Sequence, residues 1–332
     1  MHRLVSRLVF AIGVASATLG FGAATAQTAV FTKPIRFIVP YPAGGPTDLT
    51  ARVYADKLSG LLGQPVIVDN KPGAQGVTAV QQVLQLPADG QTIYFGTLST
   101  QVVFHVVNAY RKIPAPYDPS ALVPVNILSL SPLVVVASNK SGINTYKELE
   151  EKLKANPGKL NYGSDGLGSL THLGGELLNQ AFGTRSMHIP YKGTAEFSQA
   201  LVMGDLQFAV SGVLGATNLL KQNRIKVLAV AGPKRLDSLP DVPTTAELGY
   251  PGVDLTSWFA VFMKAGTPKP YVDAVAQAIT KASHDPDLIQ RLTQAGSEMG
   301  AATTPEKFAA QMQGEFKRWT AVLEKSEVQF DK

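Results

Sequence analysis

Two periods organise the apolar and polar positions of this chain. Short apolar runs bounded by Gly, Pro, Asn or Asp predict strands at 35–39, 66–68, 92–96, 133–137, 160–163, 188–191, 206–211, 225–231 and 255–263. Between them, apolar residues recur at helical spacing over 47–62, 76–86, 146–155, 169–181, 195–203 and 216–222. The last third is mainly helical, over 270–283, 286–295 and 305–326. Helix starts are well marked: Thr145 with Glu148 forms a capping box, and Asp285-Pro286 and Thr304-Pro305 place a cap before a first-turn proline. Strands alternating with helices imply βαβ units, an α/β protein with mostly parallel sheets.

The N-terminus adds a compartment. Arg3 and Arg7 precede an apolar stretch from Leu8 to Gly22, and Ala24-Thr25-Ala26 supplies a cleavage pattern, so a signal peptide over 1–26 is expected, cut after Ala26. The stretch is short and rich in Gly, Ala and Thr, which argues against a membrane anchor. There is no cysteine, which removes disulfides, thiolate catalysis and the attachment point of a lipid anchor. A chain of 332 residues with 45% hydrophobic and 17% charged content has ample material for a packed core of two domains without them. The formal charge of +5 falls to +3 once Arg3 and Arg7 leave. Lys152/Lys154 and Lys234/Arg235 are short clusters, not a basic track, so nucleic acid is not an expected partner.

Two glycine-rich turns carry the candidate chemistry. The first, "YPAGGPTD" (41–48), leaves a predicted strand and opens a helix; the second, "NYGSDGLGSLTHL" (161–173), does the same in the other half. Such turns bring unpaired backbone N–H groups to a ligand, and the helix dipole favours an anion there. Neither G-x-G-x-x-G nor a P-loop is spelled, so a carboxylate fits better than a pyrophosphate. The alternative for the first turn is a plain tight turn, with Thr47 or Asp48 as N-cap. The second offers hydroxyls from Ser164, Ser169 and Thr171, backbone at Gly166 and Gly168, and His172 one turn into the helix, where a histidine can equally be core. Enzyme signals are weak: G-x-S-x-G is absent around Ser164, there is no H-E-x-x-H, and His105, His172, His188 and His284 lack metal-ligand spacing. No cofactor is expected.

The string "KPIRFIVPYPAGGPTDLTARVYADKLSGLLGQPVIVDNKPGAQG" (33–76) strongly resembles the start of the tripartite tricarboxylate transporter solute receptors, the Bug-type periplasmic binding proteins. "PADGQTIYFGT" (87–97), "NPGKLNYGSDGLGSLTHLGGELL" (156–178), "HIPYKGT" (188–194), "LPDVPTTAELGYPG" (239–252) and "TSWFAVFMKAGTP" (256–268) extend the likeness along the chain. The resemblance implies a two-lobed Venus-flytrap fold, each lobe a mostly parallel sheet flanked by helices, with residues 27–127 and 252–332 in lobe 1 and 128–251 in lobe 2. It also implies a periplasmic receptor that captures a carboxylate and hands it to a membrane permease; a monomer is expected, because such a receptor must expose its cleft rim to that partner. By that resemblance Tyr41, Ala43, Gly44, Gly45, Thr47 and Asp48 map onto the loop that fixes one carboxylate, Asp48 holding a water or capping the helix. Ser164, Gly166, Gly168, Ser169, Thr171 and His172 meet the ligand's other end. Thr97, Thr100, Tyr191-Lys192-Gly193 and Trp258-Phe259 line the walls.

The chain also departs from the family pattern. Ser211-Gly212 stands where many relatives carry Asp-Asn, a loss that argues against amino-acid ligands. Phe104-His105 stands where relatives often read Asn-Pro; an aromatic and an imidazole there suit an aromatic or long-chain dicarboxylate, although Phe104 can equally pack inside its lobe. Two other roles stay open: a receptor read by a sensor kinase, and a secreted hydrolase.

Overall fold

The structure, a computed structural model, describes residues 30–294, 296–300 and 303–326; the expected signal peptide lies outside the described residues. The first elements are β1 (Ile35–Val39), α1 (Pro46–Leu62), β2 (Val66–Asn70), α2 (Val77–Gln85) and β3 (Thr92–Thr97). A π-helical turn (Ser99–Val103) then runs into α3 (Phe104–Tyr110), and β4 (Leu122–Ser138) follows. Next come α4 (Tyr146–Ala155), β5 (Asn161–Ser164), α5 (Leu170–Phe182), β6 (Met187–Pro190), α6 (Thr194–Met203), β7 (Phe208–Gly212), α7 (Val213–Lys221) and β8 (Ile225–Ala231). The chain closes with β9 (Thr256–Lys264), α8 (Lys269–Ala282), α9 (Pro286–Gln294), β10 (Glu298–Met299) and α10 (Pro305–Glu324).

The strands order as β2-β1-β3-β9-β4-β7-β5-β6, with β8 and β10 also on β4. The outer strands are parallel: β1 with β2 and β3, and β5 with β6 and β7. The centre is antiparallel, where β9 pairs with β3 and β4, and β4 with β7, β8 and β10. The expected mostly parallel sheets therefore hold only at the flanks. βαβ crossovers make the flanks, whereas β9 runs against the strands of the first half and β4, passing on from it, runs against those of the second.

Strand β4 is the shared element. Up to Pro132 it pairs with β9; from Leu133 onward its partners are β7 and β8. Proline has no N–H to give a ladder and suits a change of partner. The return crossing lies alongside, with Leu133 N donating to Leu255 O (3.3 Å) and Leu255 N to Ala231 O (2.9 Å). The apolar pattern revealed only the second half of β4, because Pro124, Asn126, Ser129, Ser131 and Pro132 interrupt the first. Asn126 is fully buried there and is satisfied by Ala276 O (3.1 Å) and Thr280 Oγ1 (3.0 Å) on α8.

Helices α1, α8 and α9 cover one face of the first half around Phe37, Tyr54, Val261 and Ile279. A second core runs through both halves, from Tyr94, Trp258 and Phe262 to Tyr162 and Phe208. α10 packs on β4 and α3 in one half and on α5 in the other, where Gln180 Nε2 donates to Val322 O (2.9 Å). The last helix thus touches both halves. Among the described residues no helix is long and apolar enough to cross a membrane.

Candidate functional site

Several strand-to-helix turns from the two halves point at one cavity of ≈ 530 Å³. Pro46 opens α1, Ser99 and Thr100 open the π turn, Ser169 and Leu170 open α5, Thr194 opens α6, and Gly212 and Val213 open α7; all reach its wall. Leu133, Leu214, Phe104 and Phe259 make the wall predominantly apolar. Asp165 is the one charged side chain among the described residues that line it. With no lysine, arginine or histidine on the wall among the described residues, it is backbone N–H groups and hydroxyls that are placed to hold an anion.

The first loop is held from below. Pro46 at the first helical position suits the fixed φ of proline, and Gly45 caps α1 with no side-chain acceptor. Asp48, 2% exposed, accepts from Gly44 N (2.9 Å) and Arg52 Nε (3.0 Å) on one oxygen and from Asn70 Nδ2 (3.0 Å) on the other. Asn70 also donates to Tyr41 O (3.0 Å), so Asp48 and Asn70 together fix both ends of the turn. Burial works to raise the Asp48 carboxyl, but the bonds from Arg52, Gly44 and Asn70 outweigh it and hold the pKa below the ordinary value. Thr47 is buried beside it, while Ala43, Gly44 and Gly45 lie at the outer side of the turn, off the wall. From this loop Tyr41 faces the cavity, its hydroxyl 3.3 Å from Thr97 Oγ1. Thr97 is itself buried and exchanges bonds with Thr100 (3.0 and 3.1 Å), which does reach the wall.

The second loop places Gly168, Ser169 and Thr171 on the wall. Ser169 caps α5, accepting from His172 N (3.2 Å). Thr171 Oγ1 accepts from Asp165 N (3.1 Å) and donates to Asp165 Oδ1 (2.5 Å), folding the loop over the helix end. Ser164, Gly166 and His172 form the floor, off the wall. Ser164 Oγ lies 2.7 Å from His188 Nε2, and His172 Nδ1 accepts from Gly168 N (2.9 Å). The two imidazoles stack with centroids 3.7 Å apart. Burial, and for His172 the neighbouring His188 as well, pushes them down to about 3 (His172) and about 4 (His188), so both are neutral at pH 7. The Ser164–His188 contact has the look of a nucleophile and its base, yet Ser164 is fully buried and also donates to Gly166 O (3.0 Å). It shapes the loop.

The other residues read from sequence divide in the same way. Phe104 lines the cavity and stacks on Tyr117 (6.1 Å between centroids), whereas His105 is buried against that Tyr117 (4.7 Å), with burial lowering its pKa to about 4. Tyr191 and Lys192 lie off the wall; Tyr191 N donates to Ser164 O (3.0 Å), and Lys192 is exposed. Ser211 is buried in β7, paired with Val134, and hands the wall to Gly212. Of the expected pair Trp258-Phe259, Trp258 is 1% exposed in the core, edge-on to Phe308 (5.1 Å), while Phe259 faces the cavity together with Ser257.

Of the wall elements that escaped the sequence reading, three bear on its chemistry. The α7 turn, Gly212 to Gly215, is another strand-to-helix turn and would have followed from the rule applied to the first two. Asp165 lies inside the second loop but reads as filler between Ser164 and Gly166. Gln75 sits in the turn 73–76, where all four residues have positive φ. Two of them, Ala74 and Gln75, are not glycine, which marks local strain. Gly76 is required there, since a Cβ would come within 2.8 Å of Thr100 Cγ2.

The helix ends differ in charge. α1 carries Asp48 in its first turn, α6 carries Glu196, and α5 has the Ser169 cap with Asp165 folded against it. α7 has neither an acidic first turn nor a side-chain cap. Its Val213, Leu214 and Gly215 line the cavity, so its N-terminus is an uncompensated positive end there; the π turn at Ser99, which also lacks an acid, has Thr100 N taken by Thr97 Oγ1 (3.1 Å). Among the described residues no three His, Asp or Glu come together as a metal site.

Comparison with known proteins fits this architecture. The chain is 36% identical over 286 residues to a UPF0065 protein of Bordetella pertussis, covering 86% of this chain and 87% of that one. MatC of Rhodopseudomonas palustris, solved with bound malate, superposes with TM-score 0.74 at 29% identity, over 88% of this chain and 99% of MatC. Another R. palustris protein, solved with adipate, gives TM-score 0.76 at 29% identity, over 88% and 97%. The sequence profile of the tripartite tricarboxylate transporter family receptor (TctC) matches residues 50–328, from just beyond the first loop through the second and on to the last helix. The chain belongs to the tripartite tricarboxylate transporter receptor family.

Proposed function

We propose that this protein is a periplasmic receptor that captures a small carboxylate in the cavity between its halves and presents it to the membrane permease of a tripartite tricarboxylate-type uptake system. The observation that carries the reading is the α7 N-terminus: a helix end without cap or acid, opening into a largely apolar cavity with no cationic side chain among the described residues. A carboxylate head accepts the first-turn N–H groups of α7, and the hydrocarbon body lies along Leu133, Leu214 and Phe259. The malate and adipate held by the two R. palustris relatives are of this chemical class.

The chain crosses between halves at Pro132/Leu133 and at Leu255/Thr256, and these two strand crossings act as the hinge. On that division residues 30–132 and 256–326 move against 133–255, with α10 riding on both. Closure strengthens each hydrogen bond by excluding water, and the permease reads the closed form of a monomeric receptor. A thermal-shift screen over mono-, di- and tricarboxylates tests this. A ligand at 100 times its dissociation constant adds about 2.7 kcal/mol of stability, which is several degrees for a protein of this size. A panel in which no carboxylate moves the melting temperature refutes the reading.

A further inference from the structure

The cavity is polarised, and the charge that polarises it belongs to Asp165. Its carboxylate stands on the wall of a space that holds no cationic side chain among the described residues. One oxygen, Oδ1, takes the Thr171 hydroxyl; Asp165 makes no ion pair with any described residue. Across the space Tyr41, on the first loop, has its phenol pKa raised chiefly by burial, against the lowering bond with Thr97, and this carboxylate adds to the rise. The α5 N-terminus, which the glycine turn had suggested for a second ligand carboxylate, already faces a carboxylate of the chain's own. The positive pole is the α7 N-terminus, on another element of the same wall.

We propose that Asp165 is a specificity-determining residue that selects ligands bearing a protonated amine together with the carboxylate, over dicarboxylates of the same length. The argument rests on the carboxylate-receptor reading above and refines it. A ligand with its carboxylate at α7 and an ammonium facing Asp165 pairs both poles of the cavity. A diacid that spans the same distance sets its second carboxylate against Asp165, where like charges repel and no cation of the wall offsets them. The acid missing at 211–212 is thus supplied from the neighbouring loop, and the sequence argument against amine-bearing ligands loses its force.

The test is calorimetric titration of three matched probes that differ only at the far end: 6-aminohexanoate, hexanoate and adipate, repeated with 4-aminobutyrate, butyrate and succinate. At whichever length binds, the amino acid is expected to bind on the order of tenfold more tightly than the diacid, with the monoacid between them. Asp165→Asn keeps an oxygen for the Thr171 hydroxyl and should collapse the three affinities to within about threefold, mostly by weakening the amino acid. Diacids binding more tightly than amino acids to the wild-type protein overturn the inference, whatever the variant does. An unchanged ranking in a folded Asp165→Asn protein overturns it too. If no probe and no other carboxylate binds, it is the receptor reading that fails.

Discussion

Gly212→Asp should make this protein more stable and nearly blind to its ligand. Gly212 ends β7 and caps α7 with φ −68 and ψ 143, extended values open to any residue, and a Cβ there meets nothing within 4 Å. An aspartate at that cap accepts first-turn N–H groups, complements the dipole and restricts the unfolded chain, together worth about 1 kcal/mol. The melting temperature should rise by about 2–4 °C. The same carboxylate occupies the anion position: a like charge about 5 Å from the ligand head, at an effective dielectric constant of about 20, costs about 3 kcal/mol, or roughly a hundredfold in affinity. Differential scanning fluorimetry reads the first effect and calorimetry with the best carboxylate of the panel reads the second. Opposite signs are the signature. Affinity unchanged within threefold would refute α7 as the anion end, and a joint loss of stability and binding would show that Gly212 is needed for shape alone.

Further outcomes follow from the buried braces. Asp48→Asn removes the charge that holds Gly44, Arg52 and Asn70 and sets an amide against the Asn70 amide. Arg52 is half exposed, so its share is small; the buried bonds set the loss at about 2 kcal/mol by urea denaturation at pH 7. Because the folded Asp48 pKa is lowered, its contribution is present above the unfolded value and fades only below about pH 4, so the wild-type advantage should hold from pH 7 to 5 and shrink below that. Ser169→Ala should lower the unfolding free energy by about 1 kcal/mol through its cap, and Ser169→Gly by only a few tenths of that, measured the same way. For His172, held at about 3, the unfolded chain takes up protons below about pH 6.5 that the folded chain refuses. Stability should therefore fall by about 2 kcal/mol from this residue between pH 7 and 5, and His172→Asn, which can still accept from Gly168 N, should flatten that slope.

Elements whose signal is local were legible. The strands over Ile35–Val39 and Ile225–Ala231 and the helix Tyr146–Ala155 announce themselves by an apolar run or by a cap, and their bounds match the sequence reading. The first half of β4 hid because its prolines and Asn126 have their partners more than a hundred residues away, which no window of the sequence contains. α3 hid for a different reason: it leaves a π turn with no cap of its own. At the site, the two glycine turns were visible as shapes, but which residue faces the ligand was not. Trp258 and Phe259 are neighbours of equal appeal on paper; strand alternation sends one into the core and the other to the wall. His172 looked like a ligand contact and instead holds Gly168 from beneath. Asp165 was passed over because a single acid in a turn reads as solvated; it is indeed exposed, and only the cavity shows it as the one charge on the wall among the described residues.

The central claim is that an ionised carboxylate is held by the open end of α7 without any basic side chain. Calorimetric titration of the wild-type protein at pH 7 with the tightest carboxylate of the panel, and with the primary amide of that same acid, tests it directly. The account predicts that the acid binds and that the amide, nearly the same in shape but with that head uncharged, binds at least tenfold more weakly. Equal affinity for the two would contradict it.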